Sequence, residues 1–133
     1  MQHQFKHRVI YEDTDAGGVV YYAKYLAYFE RGRTELIRQL GISPKQLKDE
    51  NGLAFAVVRV ECDYKAPALY DDEITIETKI ADFSGATITF IQTAQRDGKI
   101  LVEAKTTLIT VDLKAFRARR LPEELAAKIK SQT

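Results

Sequence analysis

The sequence of 133 residues is poor in the side chains that most often bind metals or act as nucleophiles, with one cysteine, two histidines and no tryptophan. A single cysteine excludes an intrachain disulfide. Cys62, His3 and His7 are too few and too widely spaced for a zinc site of ordinary composition. A Cys-His or Ser-His-Asp arrangement would have to use one of two histidines near the N-terminus. We therefore expect no metal and no organic cofactor, so any hydrolytic chemistry must use carboxylates, hydroxyls and backbone N–H groups.

Cys62 itself lies in an alternating run with Ala56, Val58, Val60 and Tyr64. Alternation of this kind places the thiol on the apolar face of a strand. Free cysteine is among the most buried residue types. We expect a packed, unreactive thiol.

The sequence also lacks a strong charge of either sign and any long hydrophobic run. A net charge of +1 gives no general attraction to nucleic acid or to a membrane surface. Nothing near the N-terminus resembles a signal peptide or a membrane-spanning helix. The hydrophobic fraction of 45% is that of an ordinary globular protein, and the length suits one domain over residues 1–133. We expect a cytoplasmic protein.

The most informative segment is residues 11–25, YEDTDAGGVVYYAKY, in which three acids precede a glycine pair and an aromatic run. The pair Gly17-Gly18 predicts a tight turn after Asp15. A helical pattern follows, and the first N–H groups of a helix have no intrahelical acceptor and carry the positive end of its dipole. The segment can therefore place a carboxylate beside donors able to bind an oxyanion. The same residues also suit a structural turn or a helix cap, so the pattern alone leaves both interpretations open.

The rest of the chain predicts an α+β domain. Apolar residues recur at helical spacing over residues 22–40, with Gly41 as the stop, and Gly32 indicates close packing against a strand. Alternating residues then predict antiparallel strands separated by turns at Gly85 and Asp97-Gly98. The expected strands are 5–11, 54–64, 73–82, Thr87–Arg96 and 100–111, with an edge strand at 117–120, and the expected short helices are 43–49 and 122–130.

The run from Arg8 to Tyr25 resembles the signature of the 4-hydroxybenzoyl-CoA thioesterase family, and within it the bacterial acyl-CoA thioesterases of the YbgC type, which are associated with the Tol-Pal envelope system. The segments FERGRTE and DYKAPALYDD extend the likeness over nearly the full chain. The resemblance implies the hotdog fold, a curled sheet of five to six antiparallel strands wrapped round one long helix. It also implies a dimer, commonly paired into a tetramer, with each active site at a subunit interface.

By the same resemblance, Asp15 matches the catalytic carboxylate, which either attacks the thioester carbonyl or activates water. The backbone N–H of Tyr22 would bind the thioester oxygen, with Gly18 and Val19 beside the substrate. Tyr11 matches an active-site position whose hydroxyl could orient Asp15 or the water, although a strand-end tyrosine is more often simply packed. Members of the YbgC type usually carry histidine where this chain has Tyr22, so only the backbone role carries over. Glu12 and Asp13 are expected to be solvated or to make local hydrogen bonds.

The resemblance implies an acyl-CoA thioesterase that releases a free acid and coenzyme A, with coenzyme A entering only as part of the substrate. Coenzyme A carries phosphates, which favour basic groups at the pocket rim. The candidates are Arg59, Lys65 and Arg119, which belongs to a cluster with Arg117 and Arg120. Two alternatives stay open. One is a non-catalytic acyl-thioester-binding module linked to envelope or lipid-synthesis proteins, and the other is a hotdog dehydratase, which normally uses a histidine in its active site.

Overall fold

The computed structural model describes residues 2–133, which form one antiparallel sheet and three helices. The predicted elements are present, and most bounds lie within two residues of those expected from the sequence. The strands are β1 (Gln2–Arg8), β2 (Leu53–Tyr64), β3 (Glu73–Ser84), β4 (Thr87–Arg96), β5 (Lys99–Asp112) and β6 (Arg117–Ala118). The helices are α1 (Lys24–Gln39), α2 (Pro44–Asn51) and α3 (Glu123–Lys130).

The sheet runs in the order β1, β3, β4, β5, β2, and every neighbouring pair is antiparallel. The two-residue strand β6 pairs with the last residues of β5, which extend past the part of β5 that pairs with β4. The central strands bury alternate side chains, as expected for a sheet with one face against a helix. This is the α+β arrangement expected of the hotdog fold.

The longest helix, α1, packs one face against the sheet. Its fully buried side chains include Phe29 and Leu36, and its contacts are mainly with β3 and β1. Two apolar clusters lie between helix and sheet. One forms around Phe29 and Ile76 near the start of α1, and the other around Leu36 and Phe90 near its end. Apolar contacts near both ends of α1 therefore hold the helix against the sheet, and these contacts fix the position of its N-terminus.

Gly32 allows α1 to approach the sheet closely, as the sequence predicts. A Cβ atom at this position would lie 2.4 Å from Thr78 Oγ1 and 3.1 Å from Gln92 Nε2. Both neighbours are fully buried, and Gln92 Nε2 donates to the Phe29 carbonyl at 2.8 Å and to Thr78 Oγ1 at 2.8 Å. The missing side chain thus makes room for a polar network between the helix and two strands.

The first strand differs from the sequence expectation. It begins at Gln2 and ends at Arg8, whereas residues 5–11 were predicted to form it. Residues Tyr11–Asp13 form one turn of 3-10 helix, closed by the bond from the Asp13 amide to the Ile10 carbonyl at 3.0 Å. The alternation of residue types in the sequence could not locate the end of β1. That end is set by where β1 stops pairing with β3, at Arg8 and Glu73.

The second strand contradicts the expectation of an apolar face packed in the core. Val58 and Val60 are 54% and 41% exposed, and Tyr64 is 47% exposed. The physical reason is the position of β2 at the edge of the sheet, where within residues 2–133 its one partner strand is β5 and α1 covers little of it. The chain therefore presents a long apolar edge to solvent.

Candidate active site

Asp15 is the first residue of a tight turn, which hydrogen bonds of its own backbone and side chain stabilise. Its amide donates to the Val19 carbonyl at 2.9 Å, and its carbonyl accepts from the Gly18 amide at 3.1 Å. Its Oδ1 accepts from the Gly17 amide at 2.8 Å. Gly18 has a φ of +79°, a conformation that favours glycine. The Asp15 side chain is exposed to solvent, so the turn holds one carboxylate oxygen in place and leaves the group accessible.

The Asp15 turn, residues 15–19, leads directly to the start of α1. A bridge between Thr14 and Val20 and a bond from the Tyr21 amide to the Asp13 carbonyl at 2.9 Å bring the two sides of the loop together. The Lys24 amide then donates to the Tyr21 carbonyl at 2.8 Å, which begins the helix. The carboxylate and the N-terminus of α1 are thus held by one continuous set of backbone bonds.

The N-terminus of α1 offers free donors. The amides of Tyr22 and Ala23 donate no hydrogen bond to any of residues 2–133, and Ala23, the residue before the helix, provides no side-chain cap. Such amides carry the positive end of the helix dipole. They are suited to bind a carbonyl oxygen as it becomes an oxyanion.

A second chain segment, residues 66–72, braces the same loop. The Val20 amide donates to the Ala68 carbonyl at 2.9 Å, and the Tyr70 amide donates to the Gly18 carbonyl at 3.2 Å. The Tyr25 hydroxyl accepts from the Ala68 amide at 3.1 Å. The two landmarks of the sequence resemblance therefore contact each other, although the bonded residues lie more than forty positions apart along the chain.

An open groove of about 290 Å³ lies beside the start of α1. Tyr22, Tyr25 and Tyr64 line it with Lys65. The Tyr64 hydroxyl donates to the Tyr22 carbonyl at 3.2 Å, and the two rings meet edge to face with their centroids 6.3 Å apart. An aromatic groove next to free amide donors suits an extended, partly apolar substrate.

Asp13 is buried and makes local hydrogen bonds, the second of the two environments expected for it from the sequence. It is 4% exposed, and its Oδ2 lies 2.8 Å from His7 Nε2 and 3.0 Å from the Ile10 amide nitrogen, which donates to it. Burial by itself would raise the pKa of this carboxyl group, but hydrogen bonds from His7 and Ile10 hold the pKa below its ordinary value. The buried Tyr28 hydroxyl lies close by, and burial together with the Asp13 charge raises its pKa. Asp13 therefore anchors the loop that carries Asp15.

Tyr11 lies at the surface, which excludes the packed position, while the role of its hydroxyl in orienting Asp15 or water stays a prediction. Its side chain is 81% exposed, so it is not packed at a strand end. Its ring meets that of Tyr70 edge to face at 6.1 Å, and its hydroxyl makes no hydrogen bond within residues 2–133. Its carbonyl accepts from Thr14 Oγ1 at 2.7 Å, which supports the loop. Glu12 is solvated, as expected, with Lys24 Nζ 3.8 Å from its Oε1.

Of the three cations predicted to bind coenzyme A, the structure brings only Lys65 to the groove. Arg59 lies further along β2 and pairs with Glu61 at 3.0 Å. Arg119 pairs with Asp112, which lies beside Leu53 at the opposite end of β2 from Tyr64. Ten residues of β5 separate the two ends, about 33 Å along an antiparallel strand. The sequence could not show this separation, because it depends on strand order.

Cys62 is half-buried beside the first apolar cluster, and burial raises the pKa of its thiol. Within residues 2–133 no group of three or more histidine, cysteine, aspartate or glutamate side chains is arranged to hold a metal ion. No helix in this part of the chain is both long and apolar enough to cross a membrane.

Comparisons with known proteins identify the family of this chain. The model of the thioesterase-like superfamily matches residues 9–129. The chain is 43% identical over 123 residues to the acyl-CoA thioesterase YbgC of Haemophilus influenzae, covering 92% of this chain and 90% of that protein.

Solved structures share the fold. A probable thioesterase from Bartonella henselae superposes with a TM-score of 0.86 at 37% identity, covering 92% of this chain and 100% of that one. A mutant 4-hydroxybenzoyl-CoA thioesterase in complex with 4-hydroxybenzoyl-CoA has a TM-score of 0.88 at 20% identity, over 96% of this chain and 98% of its own, and this likeness shows the fold alone. The match of the family model over most of the chain, with a relative at 43% identity, establishes that this protein belongs to the thioesterase-like superfamily.

Proposed function

We propose that this protein is an acyl-CoA thioesterase that hydrolyses the thioester of an acyl-CoA to a free acid and coenzyme A. The observation that carries the proposal is the Asp15 carboxylate, exposed in a turn that is hydrogen-bonded to the start of α1, where two amides have no acceptor among the described residues 2–133. Its relative in Haemophilus influenzae is named an acyl-CoA thioesterase. No observation favours a dehydratase or a non-catalytic binding module over hydrolysis.

The reaction needs a nucleophile at the carbonyl carbon and donors at the carbonyl oxygen. In one form Asp15 takes a proton from water, and the water oxygen attacks the carbonyl carbon. In the other form the Asp15 carboxylate attacks first, and water then hydrolyses the resulting anhydride. In both, the oxyanion lies against the Tyr22 amide, the carbon–sulfur bond breaks, and the coenzyme A thiolate takes up a proton. Each preorganised donor is worth about 2.7–4 kcal/mol in the transition state.

The remaining predicted residues have supporting roles in this proposal. Gly18 and Val19 form the part of the turn next to the thioester, and glycine suits this position because a side chain would be strained at its φ of +79°. Lys65 at the groove contributes a positive charge toward the phosphates of coenzyme A. Tyr11 is exposed at the same loop, so its hydroxyl is free to contact the substrate or water. The reaction requires water and acyl-CoA, with no metal or organic cofactor.

We also propose that the protein forms a homodimer through the edge of β2, assembled further to a tetramer. The unpaired edge carries Val57, Val58 and Val60, all between 41% and 54% exposed. An exposed apolar edge strand is a surface that proteins normally cover. Sedimentation of the wild-type chain beside a Val58→Lys variant tests this, because the charge would weaken an interface at that strand. A cytoplasmic location and peripheral association with envelope or lipid-synthesis proteins belong to the same proposal.

The direct test is release of free thiol from a panel of acyl-CoAs that runs from short aliphatic through long aliphatic to aromatic acyl groups. We expect turnover of at least one class, with the profile reporting the shape of the groove. Binding of acyl-CoA without thiol release across the whole panel would instead support the non-catalytic module. Release of water from a hydroxyacyl-CoA, with the thioester kept intact, would support the dehydratase.

A further inference from the structure

Two peptide groups meet at Tyr22, and each carries one of the two free amides at the start of α1. The Tyr22 N–H belongs to the group that joins Tyr21 to Tyr22, and the Ala23 N–H belongs to the group that joins Tyr22 to Ala23. A peptide group is planar, with its N–H and C=O pointing in opposite directions. A hydrogen bond to the carbonyl therefore fixes the direction of the N–H in the same group.

The backbone holds only the first of these groups. The Tyr21 carbonyl accepts from the Lys24 amide at 2.8 Å, which orients the Tyr22 N–H. For the second group, a regular helix would pair the Tyr22 carbonyl with the Leu26 amide. The Leu26 amide instead donates to the Ala23 carbonyl at 3.2 Å, and no backbone amide of residues 2–133 donates to the Tyr22 carbonyl.

A side chain from the sheet supplies the missing support. The Tyr64 hydroxyl donates to the Tyr22 carbonyl at 3.2 Å, and this is the one hydrogen bond that the carbonyl accepts within the described part of the chain. The hydroxyl of a β2 residue thus determines the direction of the Ala23 N–H.

Tyr64 is itself held firmly on both sides. It is the last residue of β2, opposite Val102 of β5, and the amide of the next residue, Lys65, still donates to the Leu101 carbonyl at 2.8 Å. Its ring meets the buried Tyr25 ring edge to face, with the centroids 5.7 Å apart. Burial raises the pKa of the Tyr64 hydroxyl, so the group keeps its proton and remains a donor at neutral pH.

We propose that Tyr64 is a positioning residue for thioester hydrolysis, an inference that rests on the function proposed above. Its hydroxyl keeps the peptide group between Tyr22 and Ala23 oriented before the substrate arrives, so that the Ala23 N–H joins the Tyr22 N–H in binding the oxyanion. Donors fixed in advance stabilise the transition state without a cost of reorganisation. An interaction of this kind acts on kcat more than on KM.

The length of the bond sets the expected size of the effect. At 3.2 Å it is longer than the value of about 2.7–2.8 Å that is typical of O–H···O hydrogen bonds. We therefore expect an ordinary rather than a strong contribution, a factor of about three to ten in rate.

Tyr64→Phe removes the hydroxyl and keeps the ring. Its kcat for thiol release should fall about threefold to tenfold, with KM within about twofold of the wild type. Incorporation of para-aminophenylalanine at position 64 returns an N–H donor to the same ring and should restore most of the rate. Tyr70→Phe is the matched control, because it removes an exposed hydroxyl that makes no hydrogen bond within residues 2–133, and it should match the wild type.

The carbonyl carbon chemical shift of Tyr22, measured by NMR in the free protein, tests the same bond without catalysis. A hydrogen bond draws electron density away from the carbonyl carbon, so Tyr64→Phe should move this resonance upfield. The para-aminophenylalanine protein should return it toward the wild-type position, and Tyr70→Phe should leave it in place. An unchanged Tm verifies that each variant is folded.

The two measurements separate this inference from the proposed function. A wild-type protein that releases no thiol from any acyl-CoA would end the proposed function and with it the catalytic role of Tyr64, although the carbon shift would still report the bond. If the wild type is active, any of three results for Tyr64→Phe would overturn the inference: wild-type kcat, a raised KM at unchanged kcat, or a loss that para-aminophenylalanine does not restore. An unmoved Tyr22 carbon resonance would also overturn it.

Discussion

The carboxylate of Asp13 and the imidazole of His7 lie 2.8 Å apart, from Oδ2 to Nε2, beneath the loop that presents Asp15. The same carboxylate oxygen accepts the Ile10 amide, and the Asp13 carbonyl accepts the Tyr21 amide. One buried residue thereby connects β1, the Asp15 turn and the start of α1. The Asp15 carboxylate, which we propose as the reactive group, is exposed, and the Asp13 carboxylate that supports its loop is buried.

This support predicts a specific dependence of stability on pH. Because the folded pKa of Asp13 is below its ordinary value of 3.8, the group stabilises the fold above about pH 4, and that contribution is lost as the pH falls through the folded pKa. Asp13→Asn keeps an acceptor for the Ile10 amide but loses the charge. Urea unfolding at pH 7 and pH 3 should show a smaller difference for this variant than for the wild type. Glu12→Gln, at the exposed neighbouring position, should match the wild type, and a pH difference unchanged in Asp13→Asn would contradict the assignment.

A substitution of Tyr22 tests whether its backbone amide or its side-chain hydroxyl is the hydrogen-bond donor at the N-terminus of α1. Its side chain is 61% exposed, while its amide has no acceptor within residues 2–133. Tyr22→Phe keeps the amide and the ring, so kcat/KM should stay within about threefold of the wild type, less than 1 kcal/mol. Thiol-release kinetics measure this. A fall as large as that caused by losing the Asp15 charge would show that the hydroxyl takes part.

Gly32 predicts a loss of stability caused by overpacking. A methyl group there would meet Thr78 Oγ1 at 2.4 Å, and Thr78 is fully buried. Overpacking typically costs about 1–3 kcal/mol, against a gain of roughly 1 kcal/mol in helix propensity for alanine. Gly32→Ala should therefore lower Tm by several degrees. Glu35→Ala, at an exposed position of the same helix, is the control, and a Gly32→Ala protein as stable as this control would show that α1 can shift away from the sheet.

Substitutions of Lys65 and of Arg119 test which end of β2 binds coenzyme A. Lys65 lines the groove beside Tyr22 and pairs with Glu103 at 3.5 Å, whereas Arg119 pairs with Asp112 at 3.1 Å at the far end of the strand. Within one protomer, Lys65→Met should raise KM about threefold to tenfold with little change in kcat, the scale of one exposed phosphate contact. Arg119→Met should change KM less. The reverse order would indicate that the far end of β2 reaches the substrate, as it could from a neighbouring protomer.

The sequence was most informative where the structure depends on neighbouring residues. The turn after Asp15, the start of a helix near Tyr22 and the close approach at Gly32 follow from local backbone and packing requirements, and the structure has all three. The role of residues 66–72 could not be found this way. Their hydrogen bonds to Val20 and Gly18 depend on how distant segments meet in space.

Burial was harder to predict for charged and edge residues. Asp13 resembled the solvated acids around it, and its burial depends on His7 from β1 and Tyr28 from α1. Arg33 lies in a charged helical run, where only the three-dimensional position of its face reveals that it points toward the sheet and Gln92. The apolar residues of β2 predicted a packed face, but a strand at the edge of the sheet leaves them exposed. Each of these features depends on how distant segments of the chain meet, which the alternation of apolar and polar residues does not encode.

The most direct test of the proposed chemistry is the single-turnover rate of thiol release by Asp15→Asn compared with the wild type on the best acyl-CoA substrate. Asparagine keeps an oxygen that can accept the Gly17 amide, so the turn should persist, and an unchanged circular dichroism spectrum and Tm would verify this. We predict a fall of about 10²- to 10⁴-fold in rate, the usual scale for a positioned acid or base. A folded Asp15→Asn protein that releases thiol at the wild-type rate would contradict the assignment of Asp15 as the reactive carboxylate.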